Sequence, residues 1–261
     1  MDLPITVKNL TKTFRSSGGF SLFNCNHEKK ATTALKNVSF RAAPGEILGI
    51  IGPNGAGKTT LLKIMATSIR QEKGIVRIQG LETGKEDIQI RKATGCIWSA
   101  NRSFYWRLTG RQNLVFFAAL YDVFDQNSIN QLLEYFQVRM PDKRFDSYSE
   151  GTKQKIAIIR ALVHKPRILL MDEPLKNLDL SSSERLKDII KTQISSGQLR
   201  AAVFAGHDLE QMQQFCDRFL MLNEGLITAE GTMEQLRHIS GVPRQDLKQI
   251  FTTLTGTGDN E

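Results

Sequence analysis

The sequence predicts an α/β protein built on a mostly parallel sheet covered by helices on both faces, and three features carry that expectation. Apolar runs of strand length alternate with stretches of helical spacing. The run GPNGAGKTT at residues 52–60 is entered by Ile47-Leu48-Gly49-Ile50-Ile51 and left by Leu61-Leu62-Lys63-Ile64-Met65, giving strand, loop and helix in that order. After Arg102 a block of helical period interrupts the alternation.

The elements follow in chain order. Ile5 and Val7 alternate with Thr6 and Lys8, and Val38 and Phe40 flank Ser39, which predicts two short half-buried strands around an extended loop, RSSGGFSLFNCNHEKKATT. GIVRIQG at 74–80 is a strand between glycine turns. In the helical block, Leu114, Phe117, Ala118 and Tyr121 stand at i, i+3, i+4, i+7, and Ile129, Leu132, Leu133 and Phe136 repeat the pattern after a break at 125–127. Both stripes read as core. Ser149 precedes a third helix carrying Ile156, Ile159 and Leu162, which ends at Lys165-Pro166 because proline disfavours helix in the residue before it. Strands follow at Ile168-Leu169-Leu170-Met171, at 201–205, and on either side of the turn Asn223-Glu224-Gly225.

Composition narrows the class. With 261 residues, 40% hydrophobic and 24% charged, the chain suits one large globular domain. Its longest apolar runs are strand-sized, and the start MDLPITVKNLTKTF lacks a secretory apolar stretch, so the expected location is the cytoplasm and any membrane role needs a partner. Cys25, Cys96 and Cys216 are too scattered for a disulfide framework or a zinc site. The net charge of +8 arises from cations dispersed among 27 acids, a solvated face and not a nucleic-acid patch.

Residues 52–60 carry the chemistry. Gly52, Gly55 and Gly57 have no Cβ, so the loop can turn its amides toward closely packed phosphates. The following helix adds unpaired N–H groups and the positive end of its dipole. Lys58 can reach the β and γ oxygens, and the Thr59 hydroxyl suits Mg²⁺. The expected ligands of this loop, from Gly52, Pro53, Asn54 and Gly55 through Ala56, Gly57, Lys58, Thr59 and Thr60, are the phosphates of a nucleoside triphosphate. An acid ending a buried strand needs a partner, so Asp172 is the second expected Mg²⁺ contact, and Glu173 is the adjacent carboxylate.

Four further motifs stand in the order and spacing of the ATP-binding cassette family, which the chain resembles over most of its length. YSEGTKQK at 148–155 resembles the signature sequence, RILLMDEP at 167–174 the Walker B strand, LKNLD at 175–179 the D-loop and AGHD at 205–208 the histidine switch. The resemblance implies a P-loop NTPase fold with a mostly parallel sheet core, an antiparallel β subdomain and an inserted α-helical subdomain. It places the cassette at 1–240, the insert at about 99–152 and a tail helix at 241–261. It also implies ATP and Mg²⁺, Glu173 as general base, His207 as a γ-phosphate contact, and Ser149, Glu150, Gly151 and Asp179 as nucleotide contacts across a head-to-tail dimer.

Three departures stand out. Glu150-Gly151 replaces the usual glycine pair, which leaves backbone donors as the usable contacts unless the carboxylate turns outward. The glutamine opening the insert is replaced by Ser99, Ala100 or Asn101. The adenine-stacking aromatic is Phe14 by position, with Phe20 and Phe23 as rivals and a shielded core role as the other reading. A single cassette with no membrane span resembles the separate ATPase subunits of transporters, docking on membrane-spanning permease subunits at the cytoplasmic face and pairing with itself or another cassette. The tail PRQDLKQIFTTLTG favours export, and the stretch 102–107 is the expected docking surface. A soluble cassette ATPase acting on a cytosolic assembly scaffold is the alternative.

Overall fold

The computed structural model describes residues 3–15, 31–99, 103–123, 125–241 and 246–255; Phe20, Phe23 and Cys25, the loop they belong to, and Ala100 and Asn101 lie outside these. β1 (Ile5–Arg15) and β2 (Ala31–Ala42) pair antiparallel, Ile5 opposite Ala42 and Arg15 opposite Ala31. Both are longer than the alternation suggests. The register shifts between Val7 and Leu10, Leu10 and Lys12, and Lys12 and Thr13, and each shift resets which residues face inward, so a strict period of two dies out early.

β3 (Glu46–Ile51) leads into α1 (Lys58–Met65), followed by β4 (Lys73–Ile78), β5 (Leu81–Glu82), α2 (Asp87–Ala93) and β6 (Thr94–Ile97). The insert then supplies α3 (Gly110–Leu120) and α4 (Gln126–Tyr135), and α5 (Glu150–Leu162) returns to the core. Helix begins at Gly110 and not near Arg102, because Thr109 forms a capping box with Gln112 that fixes the start. β7 (Ile168–Asp172), α6 (Leu180–Ser195), β8 (Ala201–Gly206), α7 (Leu209–Phe215), β9 (Arg218–Asn223), β10 (Leu226–Gly231), α8 (Met233–Ser240) and α9 (Leu247–Thr255) complete the order.

Two sheets result. β2-β1-β4-β5 is antiparallel, and β10-β9-β3-β8-β7-β6 is parallel except for its β10 edge. β3 shows why its run is apolar throughout: Leu48 and Ile50 face α1 and the antiparallel sheet, while Ile47 and Ile51 face the cluster that holds α3 to α9. Both faces are buried. β3 and β7 flank β8 and run parallel to it, so the loop at 52–57 and the acids at 172–173 leave the same end of the sheet.

Candidate functional site

The loop after β3 is shaped by close backbone approach. Gly57 has φ +106°, and a Cβ there would stand 2.4 Å from the Ala34 carbonyl oxygen, so only glycine lets the loop pack under β2. A cavity of about 210 Å³ is lined by Asn54 to Thr60 together with Ala34, Ser99, Asp172 and Glu173. The Lys58 ammonium donates to the carbonyl of Gly52 and to that of Pro53 at 3.0 Å. Burial lowers its pKa, and the charges of Asp172 and Glu173 oppose that. The amine is thus held over the loop by weak neutral acceptors that a phosphate can replace.

Opposite it, the Thr59 hydroxyl donates to Asp172 Oδ2 at 2.9 Å. Burial raises the Asp172 carboxyl, the Thr59 bond and Lys58 oppose the shift, and Glu173 adds to it. A raised carboxyl beside a hydroxyl is an oxygen pair short of positive charge, and those hard donors fit Mg²⁺, which keeps most of its waters. Glu173 adopts φ +50°, its N–H bonded to the Ala205 carbonyl at 2.8 Å, and this turns its side chain away from the line of β7. Its Oε1 pairs with His207 Nδ1 at 3.0 Å and its Oε2 with Lys176 Nζ at 3.4 Å. Burial works to raise its pKa, but His207 and Lys176 outweigh it and the net shift is downward. Glu173 is therefore an ionised carboxylate. His207 meets that carboxylate here, just beyond β8, while the adjacent Asp208 caps α7 by accepting from Gln211 N–H at 3.1 Å.

The signature segment occupies another place. Ser149 caps α5, accepting from Thr152 N–H at 3.3 Å, and is not among the residues lining the phosphate cavity of its own chain. Glu150 turns to Lys153, 2.8 Å away, and so leaves the helix start to backbone donors. Gly151 lies against the D-loop: a Cβ would stand 2.7 Å from the Asn177 carbonyl oxygen, and Asn177 itself has φ +63°. The buried Gln154 donates to the Pro174 carbonyl at 2.9 Å, and Lys155 pairs with Asp179 at 3.1 Å. Asp179 also caps α6 through Ser182 N–H at 2.8 Å, and these bonds hold its carboxyl down to about 2.

Phe14 is 43% exposed, with Lys12 Nζ 5.2 Å from its ring centre, so the shielded core role does not apply. It pairs with Thr32 on β2, two residues before Ala34 in the cavity wall. Of the three residues standing where the family's glutamine is expected, Ser99 is the one described, and it lines the cavity. The structure adds residues that the sequence reading did not single out. Ala34 carried no signal at all, whereas Gln154, a polar residue beside the apolar run 156–159, could have been marked as a buried donor. Lys176 could have been marked as the cation three residues after Glu173.

Comparison with known proteins identifies the family. The ABC transporter family model matches residues 35–176. The ABC transporter ATP-binding protein NatA of Bacillus subtilis is 32% identical over 229 residues, spanning 86% of this chain and 91% of that protein. The doxorubicin resistance ATP-binding protein DrrA of Mycobacterium tuberculosis is 30% identical over 267 residues, spanning 98% and 76%. The dimeric structure of MJ0796, a bacterial ABC transporter cassette, superposes with a TM-score of 0.75 at 26% identity, over 88% of this chain and 98% of that one. The match to the family model and the likeness to NatA place the chain in the ABC transporter family, as an ATP-binding and ATP-hydrolysing subunit.

Proposed function

We propose that this chain powers export through separate membrane-spanning permease subunits, closing head to tail on a second copy or a paired cassette with two ATP between them. The observation that carries the pairing is the separation of Ser149 from the phosphate cavity of its own chain: a capped helix start that presents free backbone donors lacks an anion within the monomer. The dimeric MJ0796 cassette supports the same reading. For export, the support is the likeness to DrrA, whose name gives it a role in doxorubicin resistance, and the tail helix α9, which packs Leu247 and Ile250 into the core.

Gly52 to Thr60 hold the phosphates, and Lys58 exchanges its carbonyl acceptors for the β and γ oxygens. Thr59 and Asp172, already paired with each other, would hold Mg²⁺. Bound there, it would neutralise charge on the β and γ oxygens. Glu173 accepts the proton of the water that attacks the γ-phosphorus, the bond to the β–γ bridging oxygen breaks, and ADP leaves. His207 moves from Glu173 toward the γ-phosphate. Ser149 and the N–H groups of Glu150 and Gly151 approach the γ-phosphate held by the partner cassette, with Asp179 lying at the same seam. Phe14 offers its exposed ring to adenine. The cassette is assigned to 1–240, with the insert at about 99–152 as the docking side and 241–261 as the tail. The chain sits at the cytoplasmic face of the membrane without nucleic acid. Among the described residues no helix is long and apolar enough to cross a membrane, so anchoring falls to the partner.

Fractionation tests this reading. Co-expressed with its multi-span partner, the chain is expected to sediment with membranes, and alone to stay in the supernatant. Recovery with a soluble scaffold protein in place of membranes would sink the transport assignment in favour of the assembly ATPase.

A further inference from the structure

Lys176 is not among the residues that line the phosphate cavity, yet it holds Glu173. The turn after β7 is closed by the Lys176 N–H, which donates to the Glu173 carbonyl at 3.2 Å, and the Leu178 N–H closes the next turn on the Leu175 carbonyl at 3.2 Å. Leu175 and Leu178 pack against the core, and Gln154 of α5 ties down the Pro174 carbonyl. From this fixed backbone the Lys176 ammonium lies 3.4 Å from Glu173 Oε2, while His207 Nδ1 is 3.0 Å from the other oxygen, Oε1. Both side chains are more than half exposed, 69% for His207 and 55% for Lys176, so neither contact is sealed from water. They differ in anchorage. His207 follows a different strand, β8, whereas Lys176 belongs to the turn that carries the carboxylate itself.

We propose that Lys176 is a positioning residue for ATP hydrolysis: it stays on Glu173 Oε2 when His207 leaves for the γ-phosphate, and so aims Oε1 at the attacking water. This rests on the reading of Glu173 as general base given above. A glutamate carboxylate turns readily about its last side-chain torsion. The oxygen that takes the proton nevertheless has to stand within hydrogen-bond reach of the water as the phosphoryl bond breaks. With His207 gone and no second partner, Glu173 would swing between orientations. Lysine suits the task, because a compact charge on a flexible stem can follow the carboxylate. An ion pair partly in water is also too weak to immobilise the base. The same turn abuts Gly151 through the Asn177 carbonyl, so the start of α5 and the aim of the base share one piece of backbone.

The test measures turnover of MgATP by the purified full-length chain. Lys176→Met, which keeps most of the side chain without its charge, is expected to lower kcat about 10-fold with KM for ATP unchanged, as a loss of aim requires. Lys176→Arg returns the charge and is expected to stay within about threefold of wild type, a rescue that a lost packing contact would not show. In the Glu173→Gln background, Lys176→Met should leave the ATP-dependent dimer intact in light scattering. Turnover of Lys176→Met at the wild-type rate would overturn the proposal, and a faster rate would do so too, by making the lysine a restraint on the base. Loss of turnover by Glu173→Gln in the same assay would then leave the general base standing. A raised KM, or loss of the dimer in the double variant, would put Lys176 on the nucleotide or at the seam and would equally overturn its positioning role. Full turnover by Glu173→Gln would remove the general-base assignment and this inference with it.

Discussion

The phosphate loop and the start of α5 are both helix N-termini prepared for anions, yet they are finished to different degrees. At the loop, the wall, the cation and the acids come together within one chain: Lys58 lies above the carbonyls of Gly52 and Pro53, and Thr59 meets Asp172 at 2.9 Å. At α5 the helix start has a Ser149 cap and free donors, but its carboxylate neighbour turns to Lys153 and no cation faces outward from the motif itself. The first is a binding site. The second is, on the proposed pairing, half of one, and its contacts fix α5 to the turn at 173–179 through Gly151, Gln154 and Lys155. An ATPase built from two such ends acquires affinity from one chain and permission to hydrolyse from another.

Substitutions can separate the two ends. The largest effect is expected for Glu173→Gln, which removes the proton acceptor: turnover falls about 10³-fold while ATP stays bound, so an ATP-dependent dimer accumulates in light scattering. A monomer under those conditions would break the contrast between whole and half sites. Lys58→Ala acts on the whole site, with ATP affinity falling about 100-fold in a calorimetric titration, from the loss of charge-assisted bonds to phosphate.

Gly151→Val acts on the half site. Its Cβ would press on the Asn177 carbonyl, costing about 1–3 kcal/mol in local strain, so turnover and dimerisation fall while monomer ATP affinity stays near wild type. Equal loss of ATP affinity would show that the two ends are not separable. The smallest effect is expected for Asp179→Ala, a lost cap worth about 1 kcal/mol in chemical denaturation, less than its shifted pKa alone suggests because the carboxylate is 58% exposed. Its pKa falls from 3.8 to about 2 on folding, so the stabilisation is complete above pH 3.8 and disappears as pH drops toward 2. The gap between variant and wild type should close across that window.

The sequence reveals the whole site better than the half site, and the reason is locality. Residues 54–60 form a continuous stretch of the pocket wall, and Asp172 and Glu173 stand at the end of a strand whose apolar run marks it as buried, so motif and place coincide. That β9, β3, β8, β7 and β6 run parallel follows from alternation of strand and helix, whereas their order in the sheet does not. α2, α6 and α8 escaped the reading because they bury few apolar side chains: α2 buries only Ile90, α8 only Leu236, and α6 only Leu186 and Ile190 beside Ser182, Ser183 and Lys187. Nothing in LKNLD says that Asp179 also caps α6, or that Asn177 takes a left-handed turn against Gly151. Ala34 was invisible for the same reason, since it acquires its meaning from residues far away in the chain.

The contact of Gly151 with Asn177 has a consequence for timing. The turn from Glu173 to Asn177 begins at the residue proposed to meet one terminal phosphate and ends against Gly151 of α5, the helix proposed to attend the opposite one. A displacement at either end, with glycine leaving no slack between helix and turn, is delivered across the seam. In the proposed head-to-tail pair, two such chains would act reciprocally, the state of one nucleotide setting when its twin is released.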